Sequence, residues 1–446
     1  MSGEIARLHE LYRSGRTTPS EVVGEHLARA QAIAKRRHAF TRLFSARALA
    51  EAEASSVRYA RGAPRSVLDG VPVTVQDLVV VRASGDERVG RERGSGDAQV
   101  VASLRSLGAI VVGATRMAQF GEGYGDYAMG NPWAQADDDR VGGSPATVAV
   151  GVGFGSFGVD ACGSLRRPAA WCGTVGFKPT QGTLSTAGVL PLSRTLDHMA
   201  VVTRRVADAR ILYDALTPTP RRRGARAAGG SPVRVGVMNL PGLCPDVVAR
   251  CDEAVSRLAG EGADIVQVDG LPLLACSAAA LTLMYAEVGE MHRSRLARHW
   301  HEYSPALRHR TLAATAVRAI DYARACAVRD TLRAEWPEHL ARVGVDLLAI
   351  PTVPCGAPAD DRLALRTEDQ TDAVLYTSPF DLLGVPAVSV PIGQDDAGMP
   401  VGLQVAGAAG DDRRVLDAAA RVEAARGSWL APPGFADPMS RLVTSG

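Results

Sequence analysis

The chain is 446 residues long, and its 50 Lys and Arg against 48 Asp and Glu leave a formal net charge of only +2. That length can bury a large core, and the balanced charge gives no global field favouring nucleic acid or an anionic membrane. No stretch approaches ~18 consecutive uncharged apolar residues, so a spanning helix is not expected.

The local cationic excess, Arg221-Arg222-Arg223 and Arg226, sits in a Pro/Gly/Ala-rich stretch without aromatic residues and reads as a solvated linker. The start, Met1-Ser2-Gly3-Glu4, lacks the basic and apolar regions of a secretory signal. Seven cysteines with no C-x-x-C spacing argue against a disulfide framework or a zinc ribbon and predict a reducing cytoplasm.

Along the chain, Thr18-Pro19-Ser20-Glu21 has the form of a capping box with proline at the first helical position. Val22, Val23, Leu27, Ala30 and Ile33 then recur at helical spacing. A second helix is predicted over 45–61, a turn and strand over 70–81, and a short helix over 100–107 feeding a buried strand at 109–113. Between 121 and 163 glycines are frequent and Asp137-Asp138-Asp139-Arg140 clusters charge, which reads as a surface loop followed by Gly/Ala helices. A helix over 203–216 precedes the clearest linker, 217–231. Strands follow at 233–237 and 264–268 around a helix at 251–260. A helix-rich stretch over 281–340 carries His292, His299, His301 and His309. A buried strand over 346–352 and a hairpin over 386–405, turning at Asp395-Asp396-Ala397-Gly398, close the pattern. This alternation predicts an α/β fold with a mixed sheet covered on both faces.

Several segments, in order, resemble the amidase signature family. They are Gly70-Val71-Pro72-Val73-Thr74-Val75-Gln76-Asp77, Asn131-Pro132-Trp133, and the block from Asp160 through Ser164 and Arg166 to Gly173. Gly176-Phe177-Lys178-Pro179-Thr180, Leu196-Asp197-His198, Ser378-Pro379-Phe380, Pro386 to Pro391 and Gly398 to Gln404 continue it. The resemblance covers essentially the whole chain and is weakest from 217 to 345. It implies one amidase-signature α/β domain over 1–446, with 217–345 forming a variable, helix-rich cap.

In that family a serine attacks an amide carbonyl, a bridging serine in a cis peptide relays its proton, and a lysine receives it. The resemblance places the nucleophile at Ser164. It places the oxyanion loop at Ala161-Cys162-Gly163-Ser164, where the family has Thr-Gly-Gly-Ser, so Cys162 stands for a glycine. Each oxyanion donor is typically worth ~3–4 kcal/mol. Asp160 and Arg166 match the family pattern.

Two positions depart from it. Gln76 stands where the family has its lysine, and a neutral amide cannot accept a proton near pH 7. The relay serine falls on Arg140 in the ungapped register, or on Ser144 if a deletion is allowed. Gln76 is expected to hydrogen-bond toward this relay segment, and the N–H groups of Cys162, Gly163 and Ser164 to converge on one point. Cys162 itself reads as a small buried filler, His198 as structural, and His299 and His301 as lying on different helix faces, unsuited to share a metal.

Three functions fit this pattern. One is a remodelled enzyme acting on, or binding, a small amide or acyl compound through Ser164, Gln76 and Ser144, with Ala161, Cys162, Gly163, Arg140 and Asp160 on the substrate side. Another is a non-catalytic partner protein, and the third is ordinary amide hydrolysis with an unrecognised base. No cofactor, metal, nucleic acid or membrane is expected, and a homo-oligomer is left open.

Overall fold

A computed structural model describes residues 3–37, 39–82, 96–117, 130–133, 143–217, 232–357, 374–426, 431–435 and 439. Its centre is an eleven-stranded mixed sheet. In chain order the strands are β1 (Phe40–Leu43), β2 (Pro72–Gln76), β3 (Ile110–Thr115), β4 (Ser156–Asp160), β5 (Val175–Lys178), β6 (His198–Thr203), β7 (Arg234–Val237), β8 (Asp264–Gln267), β9 (Leu347–Pro351), β10 (Ala387–Gln394) and β11 (Pro400–Ala406). They lie side by side as β1-β3-β2-β4-β6-β5-β10-β11-β9-β7-β8.

The register gives the sheet two unlike faces, because alternate residues point to opposite sides. One face carries Val73, Val75, Phe157, Phe177, Met199, Val201, Val388, Val390, Leu403 and Val405, all in one apolar cluster. Amphipathic helices cover it, bringing Ile5 and Leu8 from Glu4–Arg13, Leu212 from Val206–Leu216, Leu258 from Pro245–Gly260, and Leu416 from Asp412–Arg426. The opposite face carries Thr74, Gln76, Ser156, Asp160, His198, Lys178, Ser389 and Gln404, every one buried. Three short helices, Gly143–Ala149, Arg166–Trp171 and Ser378–Leu382, stand over that polar face.

Local signals placed most elements. Helix Pro19–Arg37 starts on the expected box: the Thr18 N–H donates to Glu21 Oε2 at 2.8 Å, and the Glu21 N–H returns to Thr18 Oγ1 at 3.2 Å. The five periodic residues from Val22 to Ile33 are buried. The hairpin β10–β11 turns as predicted, with Asp395 Oδ1 accepting the N–H groups of Ala397 and Met399.

The stretch 217–345 is not wholly a cap. β7 and β8 pair in parallel within it and extend the main sheet beside β9, and residues 218–231 lie outside those described. Among its described residues, Pro245–Gly260 covers the apolar face of the sheet, and Leu273–Arg298, Pro305–Ala314 and Ala319–Val343 form a separate helical layer. Leu273–Arg298 is the one described helix long and apolar enough to cross a bilayer, yet its Leu273, Ala280 and Leu283 are buried in the core. Ser277 Oγ lies 2.8 Å from Ser378 Oγ, and Glu287 accepts from Ser193 Oγ at 2.6 Å, tying this helix to the core.

The expectation about cysteines needs correction. Cys244 and Cys355 form a disulfide across 111 residues, a pairing that no local spacing announces. The bridge removes the cysteine argument for a reducing compartment.

Candidate active site at the Ser164 loop

β4 ends at Asp160 and the chain turns through Ala161-Cys162-Gly163-Ser164 into helix Arg166–Trp171. The turn needs left-handed backbone at two successive positions. Gly163 has φ +85°, and Cys162, at φ +53°, is the one non-glycine with positive φ among the described residues. A side chain there costs about 1–2 kcal/mol relative to glycine. Gly163 cannot be replaced, because a Cβ would come within 2.2 Å of Thr377 Oγ1. That same hydroxyl donates to the Cys162 carbonyl at 2.9 Å. The Cys162 thiol is buried, and burial first, then the Asp381 and Asp160 carboxylates, push its pKa well up. It is an inert filler, not a thiolate nucleophile.

The loop's polar groups are largely spent on one another. The Ser164 hydroxyl donates to the Val159 carbonyl at 3.2 Å and accepts the Ala161 N–H at 3.1 Å. The Ser164 N–H donates to the Ala161 carbonyl at 3.2 Å, and the Gly163 N–H to Asp160 Oδ1 at 2.9 Å. The three N–H groups expected to converge as an oxyanion hole therefore do not. Two of them are committed inside the turn, and Ala161 supplies an N–H to the serine oxygen instead. The turn is compact because Asp160 must answer several donors at once.

Behind the turn lies a buried ion network. Asp160 takes the Arg166 N–H, Nε and Nη2 at 2.9, 3.0 and 3.0 Å. Arg166 also donates to Asp381 Oδ2 at 2.5 Å and to Gln404 Oε1 at 2.5 Å. Burial pulls the Asp160 carboxyl up, but the charge and hydrogen bonds of Arg166 outweigh it and hold its pKa below the usual range. Lys178 donates to the carbonyls of Phe380 and Val385, and burial lowers it to about 8. His198 Nδ1 is 2.6 Å from the Leu196 carbonyl and is kept neutral by burial, a structural role as expected.

Gln76 ends β2 on the same face. It is buried, but its bond goes to β4: Oε1 accepts the Val159 N–H at 2.7 Å. Its side chain lies on Gly158, where an added Cβ would meet Gln76 Oε1 at 2.2 Å. Most of the relay segment toward which Gln76 was expected to bond, residues 138–142, lies outside the described residues; the bond seen here is to the strand that leads into the serine turn. Ser144, at the start of helix Gly143–Ala149, is buried with its Oγ 2.7 Å from Thr115 Oγ1. Thr115 is the register partner of Gln76, so Ser144 belongs to the Gln76 side of the site. Arg140 lies outside the described residues.

Sequence reasoning missed three contributors: Thr377, Asp381 and Val159. Thr377 and Asp381 come from a distant segment, and Val159 contributes only backbone N–H and C=O to these contacts, so no motif marks them. His299 and His301 do not join in a metal site. His299 pairs with Glu302 at 3.1 Å, and among the described residues no group of three or more His, Cys, Asp or Glu could hold a metal.

A mixed sheet flanked by helices, with a serine on a tight strand-to-helix turn backed by a buried Asp–Arg pair, is the arrangement expected of the amidase-signature fold. The family model described as "Amidase" matches residues 21–416, and the chain belongs to the amidase family. It is 31% identical over 460 aligned positions to a glutamyl-tRNA(Gln) amidotransferase subunit of Myxococcus xanthus, covering 90% of this chain and 93% of that one. The corresponding subunit of Anaeromyxobacter dehalogenans is 33% identical over 469 positions, covering 93% and 94%. A solved amidase superposes with a TM-score of 0.82 at 33% identity, over 95% of this chain and 99% of the other.

Proposed function

We propose that this amidase-family chain acts on, or binds, a small amide or acyl compound at Ser164 without the lysine-driven proton relay of the family. One observation carries the reading. The backbone of Val159 stands between the two residues that a relay would join: its carbonyl accepts from the Ser164 hydroxyl and its N–H donates to Gln76 Oε1. A carbonyl and an amide cannot accept the serine proton at pH 7, so the hydroxyl is not activated. Loss of a triad base commonly removes several orders of magnitude of turnover.

Aryl-amide hydrolysis by the wild type and by Ser164→Ala tests it. Equal, negligible rates are expected, together with no mass gain at Ser164 on exposure to a fluorophosphonate. A wild-type rate well above the variant, or stoichiometric labelling, would mean that another base serves Ser164. Gln76→Lys then separates the two registers. Ser144 as relay predicts the appearance of Ser164-dependent turnover, and Arg140 as relay predicts none.

A second reading, a non-catalytic partner in a larger assembly, draws on the relatives named above, which are subunits of an amidotransferase. These relatives are also named for an aminoacyl-tRNA and lend no support to a purely small-molecule role that excludes nucleic acid. Co-purification of a stoichiometric second polypeptide from the native source would favour this reading.

A further inference from the structure

We propose that Cys244–Cys355 is a reversible thiol–disulfide latch that sets how firmly the Ser164 turn is held. Both cysteines are half-buried, so a small thiol can reach the bridge. Cys244 immediately precedes helix Pro245–Gly260, and Cys355 lies just past β9. The bridge and one backbone bond, from the Cys244 N–H to the Pro354 carbonyl at 3.0 Å, join these loops.

Each loop touches one support of the serine turn. On the Cys355 side, the Cys355 carbonyl accepts Trp171 Nε1–H at 3.2 Å, and Trp171 ends the helix that begins with Arg166. On the Cys244 side, the Pro241 carbonyl accepts the Tyr376 hydroxyl at 2.5 Å. Tyr376 adjoins Thr377, whose hydroxyl holds the Cys162 carbonyl and whose side chain fills the space over Gly163. Gln404 Nε2 donates to the Tyr376 carbonyl at 2.7 Å while its Oε1 takes Arg166, which closes the circuit. The bridge thus staples together the two arms that grip the turn, although neither cysteine touches Ser164. The other five cysteines are unpaired; Cys162, Cys172, Cys251 and Cys276 among them are buried.

Opening is thiol–disulfide exchange. The thiolate of a low-molecular-weight thiol attacks one sulfur, and the second sulfur leaves as thiolate and takes up a proton. A second thiol resolves the mixed disulfide, giving two protein thiols and one oxidised small disulfide. Closing is the reverse reaction with that disulfide. With the staple open, the covalent tie between the two loops is lost, and the turn is expected to open more often.

The test uses the full chain, first by thiol counting. Denatured without reductant it should take up five alkyl groups, seven cysteines less the bridged pair, and after dithiothreitol seven. Hydrogen exchange of the native chain is then compared with and without dithiothreitol, and after reoxidation with oxidised glutathione. Reduction should speed exchange about tenfold in 160–166 and 374–378 as well as beside the cysteines, and reoxidation should restore it. Cys355→Ser should match the reduced wild type and no longer respond to dithiothreitol. Seven alkylations without reductant would overturn the proposal. So would a change in exchange confined to 241–247 and 352–357, with 160–166 untouched.

Discussion

The two faces of the sheet are held by different physics. On one, Phe157, Phe177, Val201 and Val388 meet amphipathic helices, and shape and volume decide stability. On the other, Asp160, Arg166, Asp381, Lys178 and Gln404 are buried together, and pairing decides it. The Ser164 turn and Gln76 sit on the second face. The polar network that shapes the serine turn is built on Asp160 and Arg166, while Gln76 meets the leading strand through the Val159 N–H.

One conservative change on each face should separate the two most widely. Arg166→Met keeps reach but strands the Asp160 and Asp381 carboxylates, and should cost about 3–5 kcal/mol in denaturant unfolding. Phe157→Leu on the apolar face should cost less than about 1.5 kcal/mol. Equal costs would mean that the polar face is held by packing as well.

A double-mutant cycle probes the Gln76 contact. Gly158→Ala drives a methyl into the Gln76 side chain and should destabilise by about 1–3 kcal/mol. Gln76→Ala leaves the Val159 N–H without its acceptor and should cost a similar ~1–3 kcal/mol. The pair together should cost clearly less than the sum, because each change relieves the other. Strict additivity would show that Gln76 does not lie on Gly158.

Ser164→Ala should have a smaller effect, about 1 kcal/mol, since it removes one donor and one acceptor at the mouth of the turn. A stability unchanged to within error would show that the hydroxyl is not tied into the turn.

A further test is one of pH. Burial raises Asp197 from 3.8 to about 7, against the N–H bonds it accepts from Ser193 and Leu192. Its folded pKa is the higher one, so its contribution to stability is complete below about 3.8 and is lost as pH rises toward 7. Asp197→Asn should flatten the unfolding profile between those limits. An unaltered slope would place Asp197 in contact with water.

Periodicity and end signals were enough to place the helix at 19–37, the hairpin at 387–406 and the alternation that builds a mixed sheet, because these depend on neighbours within a few residues. Ser164, Asp160, Gln76 and Ser144 were singled out as candidates because ordered segments resemble the family. The sequence alone also determined that no lysine stands at position 76. Only the tertiary structure decided which groups these residues meet. It alone joined β7 and β8 to the main sheet, bonded Cys244 to Cys355, brought Thr377 and Asp381 against a turn more than 200 residues earlier in the chain, and set the Val159 carbonyl against Ser164 and the Val159 N–H against Gln76. The physical reason is that backbone donors and acceptors carry no side-chain identity, and contacts across long separations leave no local pattern. Which polar group answers which is settled only when burial forces every one of them to find a partner.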